Sequence, residues 1–227
     1  MKTRLCVSTY GNDVGELSHR IGEALDAGAE LVEARLDYLK LIEPETLVRV
    51  LKPYADKLII TLRPKNQGGL YVGDEAHRVS MLTKLCRISP AYVDVELNAA
   101  TPTLIDSIKR ENVKIIISWH DYTRTPEQDF LRNLCEKALT MGDVAKIVTL
   151  SSCEEDNLRV VKLYAYYPPE RLVAFCMGES GRVTRLLAVC AGAPIMYVSL
   201  GGRATAAGQI ELEEMRRLRG WALVKKA

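Results

Sequence analysis

One lysine lies inside a short segment that is otherwise apolar and rich in β-branched residues. Lys146 is the third residue of the segment 144–150, which Gly142 precedes and Ser151 follows. The pattern predicts a strand that is buried on both faces, as the strands of parallel sheets are. Burial disfavours the charged ammonium, and a neutral lysine amine can attack a ketone to form an imine. Lys146 is therefore a candidate nucleophile; the structural alternative is a lysine at a strand end that extends to solvent.

Charged side chains recur at the ends of other segments that have the strand pattern. Glu33, Arg35 and Asp37 share one face of the segment 30–37, because side chains alternate along a strand. Four more charged or titratable residues lie at or near the ends of the next three segments: Arg63, Asp94, Glu96 and His120. Each one alone has an ordinary explanation as a solvated residue or half of an ion pair. Several of them in one interior would be costly, which indicates a functional site.

Strand and helix patterns alternate along the whole chain. The predicted strands are residues 4–8, 30–37, 57–63, 92–97, 113–120, 144–150, 171–177 and 194–200. The predicted helices that follow them are residues 14–27, 44–54, 74–87, 101–112, 125–141, 154–166, 180–191 and 208–224. Eight strand–helix units in 227 residues predict the α/β class and a (β/α)8 TIM barrel, as a single domain of residues 1–227.

This fold would bring the candidate residues together, because barrels of this kind carry their active sites at the carboxyl ends of the strands. The alternative architecture is an open, doubly wound sheet, which usually has a glycine-rich phosphate-binding turn after its first strand. Here the first predicted strand is followed by Thr-Tyr-Gly-Asn-Asp at residues 9–13, which lacks that motif. The barrel is therefore the preferred prediction.

Composition narrows the class of protein. The formal net charge is +2, with 31 basic and 29 acidic residues interspersed, so neither a nucleic acid nor a membrane surface is indicated as a partner. No segment has the length and apolarity of a signal peptide or a transmembrane span. The six cysteines form no Cys-x-x-Cys pair and predict reduced thiols in a cytoplasmic protein. With only three histidines, a multi-histidine metal site is not expected, whereas carboxylate-bound magnesium stays open.

Lys146 and His120 together predict an elimination that proceeds through an imine. A protonated imine acidifies the adjacent carbon, and a histidine has a suitable pKa to remove that proton near neutral pH. The same imidazolium can then donate a proton to a departing hydroxyl. We expect the positive charges of Arg35 and Arg63 to disfavour the ammonium of Lys146 and to bind an anionic substrate.

Six short motifs carry these residues. They are Val-Glu-Ala-Arg-Leu-Asp at 32–37, Thr-Leu-Arg at 61–63 with Gly-Gly at 68–69, Asp-Val-Glu-Leu at 94–97, Ser-Trp-His-Asp-Tyr at 118–122, Ala-Lys-Ile at 145–147 and Ala-Gly-Gln-Ile at 207–210. In this order they resemble type I 3-dehydroquinate dehydratase from the first strand to the last helix. The resemblance implies a (β/α)8 barrel, commonly a homodimer, without a metal or organic cofactor. It also implies that 3-dehydroquinate is dehydrated to 3-dehydroshikimate, in the shikimate route to aromatic amino acids, through a lysine Schiff base.

The resemblance also implies roles for individual residues. Lys146 would form the imine, and His120 would be the general acid and base. The substrate-binding residues that it implies are Ser8, Glu33, Arg35, Arg63, Arg185, Thr205 and Gln209. Arg185 would pair with the substrate carboxylate, a task that suits a bidentate guanidinium.

The chain departs from the family pattern in the segment that follows Arg63. Gln67 stands where bacterial members have a glutamate that is thought to assist the histidine. Glutamine carries no negative charge, so we expect Asp94 or Glu96 to orient His120 and to favour its protonated form. Near the C-terminus, Thr205 replaces a serine but keeps the hydroxyl, and residue 207 is alanine where some members have proline.

A second enzyme class is compatible with the same residues, namely a class I aldolase acting on a sugar phosphate. Gly201, Gly202 and Arg203 precede a predicted helix and could form a phosphate-binding turn, although a plain turn is the simpler explanation. A barrel that only binds a metabolite or a partner is the third alternative. His120 distinguishes the dehydratase, because elimination of water needs a group that both removes and returns a proton.

Overall fold

The computed structural model describes residues 2–224. Its strands are β1 (Arg4–Tyr10), β2 (Leu31–Arg35), β3 (Leu58–Thr61), β4 (Tyr92–Glu96), β5 (Lys114–His120), β6 (Val144–Leu150), β7 (Leu172–Met177) and β8 (Ile195–Val198). Its helices are α1 (Val14–Asp26), α2 (Pro44–Leu51), α3 (Glu75–Cys86), α4 (Pro102–Arg110), α5 (Gln128–Met141), α6 (Glu154–Val161), α7 (Leu163–Tyr166), α8 (Arg182–Ala191) and α9 (Leu212–Val224). None of these helices combines the length and the apolarity needed to cross a membrane.

The strands form one parallel sheet in the order β7-β6-β5-β4-β3-β2-β1-β8. The two ends of this order face the same interior, because Phe175 of β7 and Tyr197 of β8 line one cavity. Helices alternate with the strands and cover the outer face. The predicted (β/α)8 TIM barrel is therefore confirmed. The predicted domain limits of 1–227 include residues 1 and 225–227, which lie outside the described residues.

The strand register places the candidate residues in the barrel interior. Lys146 of β6 pairs with Ser118 of β5, and Ser118 pairs in turn with Glu96 of β4. His120 is two residues beyond Ser118, so it points to the same face about 7 Å nearer the carboxyl end. The lysine and the histidine therefore lie on adjacent strands and share one mouth of the barrel.

Local sequence accounts for the boundaries of several elements. The side chains of Asp13, Asp74 and Thr101 accept backbone N–H bonds and cap the first turns of α1, α3 and α4. Gly142 ends α5 where the chain passes close to β5. A Cβ atom there would lie 2.6 Å from Cγ1 of Ile117, so only glycine lets β6 start at this point.

Several predicted elements are shorter than the sequence pattern indicated. The second strand ends at Arg35, and Asp37 lies in a 3-10 turn because its carboxylate holds the Arg35 guanidinium and the N–H of Leu70. The last helix begins at residue 212 rather than 208. Gly208 has φ +73 and a Cβ there would lie 2.4 Å from the carbonyl oxygen of Gly178, so this residue belongs to a tightly packed loop. The predicted helix 154–166 divides into α6 and α7.

Candidate active site

Lys146 extends from β6 into the barrel and is only 4% exposed. Its Nζ lies 3.1 Å from Oδ2 of Asp94 and 3.4 Å from Oε1 of Glu33. The same nitrogen lies 4.0 Å from the ring centroid of Tyr197. These contacts stabilise a positive charge on the lysine nitrogen. The sequence led us to expect repulsion by arginines at this nitrogen, but its charged contacts are the two carboxylates. A cavity nevertheless lies beside the amine and leaves it open to a ligand.

The carboxylates around Lys146 belong to a buried group of ion pairs. Arg63 lies 2.9 Å from Asp94 and 2.6 Å from Glu96. Burial raises the pKa of Asp94, but the positive charges of Arg63 and Lys146 outweigh burial and hold that pKa below its ordinary value. Burial likewise opposes ionisation of Glu33, and Lys146 again lowers its pKa below the ordinary range. Both carboxyl groups that contact the amine are therefore anionic at neutral pH.

His120 ends β5 at the mouth of the barrel. Its backbone N–H donates to Oε1 of Gln67 at 3.0 Å, and its ring stacks on that of Tyr122. Burial, together with the positive charges of Arg63 and Lys146, holds the pKa of His120 well below its ordinary value. The imidazole is therefore neutral at pH 7, which is the form that can accept a proton.

Neither carboxylate of β4 orients the imidazole, which corrects our expectation. The Oδ1 atom of Asp94 accepts the Ser118 hydroxyl at 2.6 Å, while its Oδ2 atom is occupied by Arg63 and Lys146. Glu96 is held between Arg63 and Arg78. Within residues 2–224, Nδ1 of the His120 ring has no hydrogen-bond partner. The nearby cations outweigh Asp94, so the neutral form of the imidazole is favoured rather than the protonated one.

The predicted substrate-binding arginines differ in how far their charge is already neutralised. Arg35 forms a bidentate pair with Asp37, and Arg63 pairs with two carboxylates. Arg185 lies over the ring of Phe175 at 4.2 Å, and none of its three guanidinium nitrogens has a partner among the described residues. Burial lowers the pKa of Arg185 to about 10, so it remains a cation at neutral pH. An unpaired, buried cation at a cavity wall is suited to binding an anion.

The cavity beside Lys146 collects eight of the nine predicted site residues. Its lining is formed by Glu33, Arg35, Arg63, His120, Tyr122, Lys146, Val148, Phe175, Met177, Arg185, Tyr197, Thr205, Ala206 and Gln209. Oε1 of Gln209 accepts the N–H of Thr205 at 2.8 Å, which holds the loop after β8 over the cavity. Ser8 is the exception. Its hydroxyl donates to the carboxylate of Glu33, and the residue lines a separate small cavity instead of the one beside Lys146.

Comparison with known proteins decides the family. The family model described as "Type I 3-dehydroquinase" matches residues 5–223. The chain belongs to the type I 3-dehydroquinase family. The 3-dehydroquinate dehydratase of Pyrococcus abyssi is 36% identical over 206 residues, which cover 88% of this chain and 93% of that protein. The membership makes the chain an enzyme of the hydro-lyase class.

Solved structures of the family have the same fold. The 3-dehydroquinate dehydratase from Geobacillus kaustophilus matches with a TM-score of 0.90 at 21% identity, over 99% of this chain and 92% of that one. The structure from Aquifex aeolicus matches with a TM-score of 0.83 at 27% identity, over 96% of this chain and 98% of that one. The barrel fold is thus shared with these two 3-dehydroquinate dehydratases.

The glycine turn that could have held a sugar phosphate is already occupied. The backbone N–H groups of Gly201 and Gly202 both donate to the carboxylate of Glu211, at 3.1 and 2.9 Å. A phosphate at this turn would have to displace a carboxylate of the chain itself. The turn is therefore a structural feature of the loop after β8, and it gives no support to the aldolase alternative.

Sequence reasoning missed several residues that line the dehydroquinase cavity. These are Tyr122, Val148, Phe175, Met177, Tyr197 and Ala206. Tyr197 lies in the continuous apolar run Ile-Met-Tyr-Val of β8, so its local pattern did not distinguish it from a core residue. Tyr122 packs on the turn at Gly68, which has φ +74 and where a Cβ would lie 2.0 Å from the tyrosine ring. At Gly68, glycine thus permits this close packing over the mouth.

Acidification is expected to destabilise the fold through His120. The pKa of this imidazole is well below its ordinary value of 6.5 in the folded chain, so below pH 6.5 the unfolded chain binds a proton that the folded chain does not. The free energy of unfolding should therefore decrease as the pH falls, by up to about 1.4 kcal/mol per pH unit until the folded-state pKa is reached. Above the ordinary pKa both states are neutral and the contribution of His120 to the slope is zero.

Urea unfolding of the wild type and of His120→Gln, each measured between about pH 5 and 8, tests this linkage. Other titrating groups are common to both proteins and cancel in the difference. The wild type should lose stability relative to the variant only on the acidic side. A difference that is constant across this range would show that His120 titrates alike in both states.

Proposed function

We propose that this chain dehydrates 3-dehydroquinate to 3-dehydroshikimate in the shikimate pathway, through a Schiff base on Lys146 with His120 as general acid and base. Family membership supports the overall reaction. The mechanism rests on one observation: a lysine, a neutral histidine and an unpaired arginine, Arg185, line a single cavity. These are the groups that a carboxylated ketone requires for binding, imine formation and proton transfer.

Binding begins with the substrate carboxylate. Arg185 is the cation in the cavity whose charge no described side chain neutralises, so it is the partner for that carboxylate. Thr205 and Gln209 lie in the loop after β8 and supply a hydroxyl and an amide for the substrate hydroxyls. The ketone is then placed deeper in the barrel, towards Lys146.

Imine formation requires the ammonium of Lys146 to release a proton, and His120 is the neutral base that lines the same cavity. The free amine attacks the ketone carbon to give a carbinolamine. The imidazolium then donates its proton to the carbinolamine hydroxyl, which leaves as water, and an iminium remains. This sequence returns His120 to the neutral form that the next step needs.

Elimination follows from the iminium. Neutral His120 removes a proton from the carbon next to the iminium, and the electron pair moves into an enamine. The enamine then expels the hydroxyl on the next carbon, which takes the proton from His120 and leaves as a second water. Hydrolysis of the conjugated iminium releases the enone product and regenerates the lysine.

The anionic side chains beside Lys146 assist imine formation because they are already in position before the substrate binds. Glu33 and Asp94 contact the nitrogen that carries the positive charge in the ammonium and again in the iminium. Because both carboxyl groups have lowered pKa values, they remain anionic through the cycle. Such preorganised charges stabilise a developing cation without further rearrangement.

Two measurements on the wild-type protein test the proposed function. Addition of 3-dehydroquinate should produce the ultraviolet absorbance of a conjugated enone. Sodium borohydride added during turnover should reduce the iminium and leave a mass adduct on the peptide that contains Lys146. A set of sugar phosphates serves as the comparison. Turnover of a sugar phosphate without enone formation from 3-dehydroquinate would favour the aldolase and overturn the proposal.

Arg185→Met is expected to weaken substrate binding without harming the fold. The substitution removes a buried cation that has no hydrogen-bond partner among residues 2–224, so the free energy of unfolding should stay equal or increase. Loss of a bidentate, charge-assisted pair with the substrate carboxylate should raise KM by about 100-fold. Steady-state kinetics and urea unfolding measure the two effects.

Arg182→Met is the matched control for Arg185→Met. Arg182 lies at the start of the same helix, is partly exposed and pairs with Glu214 at 2.7 Å. Its substitution should leave KM unchanged. An unchanged KM in Arg185→Met as well would contradict the assignment of the substrate carboxylate to Arg185.

We also propose that the enzyme is a cytoplasmic homodimer that needs no metal or organic cofactor for this reaction. The steps above are complete with groups of the chain itself. Exposed apolar side chains on the adjacent helices α6 and α8, namely Leu158, Val183 and Leu187, support an interface between copies. Light scattering tests the assembly, and a mass equal to the 25.3 kDa of one chain would exclude the dimer.

A further inference from the structure

Tyr197 is a cavity residue with a polar group that neither the sequence motifs nor the mechanism above employs. It lies on β8, is 3% exposed and lines the same cavity as Lys146. The face of its ring lies 4.0 Å from Nζ of that lysine. Its hydroxyl is buried and has no hydrogen-bond partner in the part of the chain that the structure describes.

Other tyrosines that are shielded from solvent in this chain have their hydroxyl groups satisfied. The hydroxyl of Tyr92 accepts a hydrogen bond from Arg4. The hydroxyl of Tyr164 donates to the carbonyl of Ala174 at 3.0 Å and accepts the N–H of the same residue at 2.8 Å. A buried hydroxyl without a protein partner destabilises a fold, so its presence at a cavity wall indicates that the partner is a ligand.

We propose that Tyr197 is a further catalytic residue of the dehydration: its ring supports the positive charge on Nζ of Lys146, and its hydroxyl donates a hydrogen bond to an oxygen of the bound substrate. The ring role follows from the position of the cation over the aromatic face. The hydroxyl role follows from its burial at the wall of the substrate cavity. The inference rests on the proposed Schiff base at Lys146.

Three groups already cover sides of the Lys146 nitrogen. Asp94 and Glu33 contact Nζ through their carboxylates, and the ring of Tyr197 covers another side. The cavity, which Tyr197 also lines, is a further side from which the substrate can approach. We place an acceptor oxygen of the substrate beside the hydroxyl of Tyr197 because that hydroxyl is buried without a hydrogen-bond partner among residues 2–224.

The hydroxyl acts as a donor and not as a base. Burial, reinforced by the negative charges of Glu33 and Asp94, raises the pKa of Tyr197 well above its ordinary value. The phenol thus stays protonated over the working range of the enzyme. An O–H group of this kind recognises an acceptor oxygen of the substrate and leaves proton transfer to His120.

Tyr197→Phe separates the hydroxyl from the ring. The ring remains beside Lys146, so the rate of borohydride trapping at saturating 3-dehydroquinate should stay within about twofold of the wild type. The KM for 3-dehydroquinate should increase about 10-fold because one hydrogen bond to substrate is lost. The melting temperature of the ligand-free protein should be equal or higher, since a buried unpartnered hydroxyl has been removed. A purely structural hydroxyl would give the opposite pattern, with a lower melting temperature and an unchanged KM.

Tyr197→Leu removes the ring as well and should slow borohydride trapping by about 10-fold or more. Tyr164→Phe is the matched control, because it removes a buried hydroxyl that is bonded within the fold. It should lower the melting temperature and leave KM and trapping unchanged. If Tyr197→Leu fails to fold, Tyr197→Phe alone decides the role of the hydroxyl.

The outcomes separate this inference from the proposed function. No borohydride adduct in the wild type would overturn the Schiff base and the inference together. A wild-type adduct with a Tyr197→Phe protein whose KM equals that of the wild type would overturn only the role of the hydroxyl. Trapping by Tyr197→Leu at the wild-type rate would overturn the role of the ring.

Discussion

Lys146→Ala is expected to lower kcat by at least about 10⁴-fold and to abolish the borohydride adduct. The amine is the one group in the proposed mechanism that forms a covalent bond with the substrate. Without it, the proton next to the ketone is not acidified by an iminium, and His120 has no sufficiently acidic carbon to act on. Stopped assays with 3-dehydroquinate and mass spectrometry of the trapped protein measure the two losses.

Folding has to be separated from chemistry in this experiment, because Lys146 is also a buried partner of Glu33 and Asp94. Removal of one member of a buried ion pair leaves the other charge uncompensated and destabilises a protein by about 3–5 kcal/mol. Lys146→Met retains the length of the side chain and should fold better than the alanine variant. Lys114→Ala, at the exposed start of β5, is the control and should keep full activity. Normal turnover in a folded Lys146→Met protein would rule out the imine mechanism.

His120→Gln is expected to lower kcat by about 10²- to 10⁴-fold while the borohydride adduct still forms. The elimination needs a base at the carbon next to the iminium, and the same group has to return the proton to the departing hydroxyl. Water can replace the histidine in imine formation, which proceeds through small and exchangeable proton transfers. The iminium should therefore accumulate in the variant, where mass spectrometry after borohydride treatment detects it.

The exposed His77 on α3 supplies the control for His120→Gln. His77→Gln should have wild-type values of kcat and trapping. A different result is expected if His120 has only a structural role, because turnover and adduct formation would then decline together with the folded fraction. Circular dichroism of each variant, recorded beside the kinetics, distinguishes these two cases.

A continuous group of ion pairs connects helix α3 to the reacting nitrogen. It runs in the order Arg78, Glu96, Arg63, Asp94, Lys146 and Glu33. Three cationic side chains alternate with three acidic ones, and Arg78 also pairs with Glu75. In the mechanism that we propose, conversion of Lys146 to a free amine removes one positive charge from this buried group, and formation of the iminium restores it. Buried ion pairs add little net stability, and in the proposed mechanism their arrangement would favour the cationic intermediate.

The sequence by itself determined the architecture and singled out the residues that we propose to react. Alternating strand and helix patterns identify the barrel, because the periods of 2 and 3.6 residues are local properties of the chain. Lys146 was noticeable from local sequence too, because it is the charged residue in a segment, 144–150, that is otherwise mostly apolar. The structure places β6 at the same limits. The motif that contains His120 is also local, and its strand follows from its own residues.

Only the tertiary structure decided which groups are paired and which remain free. Glu33 and Lys146 are 113 positions apart in the chain, yet their side chains meet because eight strands curve into one interior. The same curvature directs Asp94 to Lys146 and Arg63 rather than to His120. It also places Ser8 where its hydroxyl bonds to Glu33 and does not line the cavity beside Lys146. Arg185 on α8 and Tyr197 on β8 line the cavity without a hydrogen-bond partner among residues 2–224, which no local pattern can reveal. Pairing depends on distances between remote residues, and these are set by the register and closure of the barrel, which sequence periodicity does not encode.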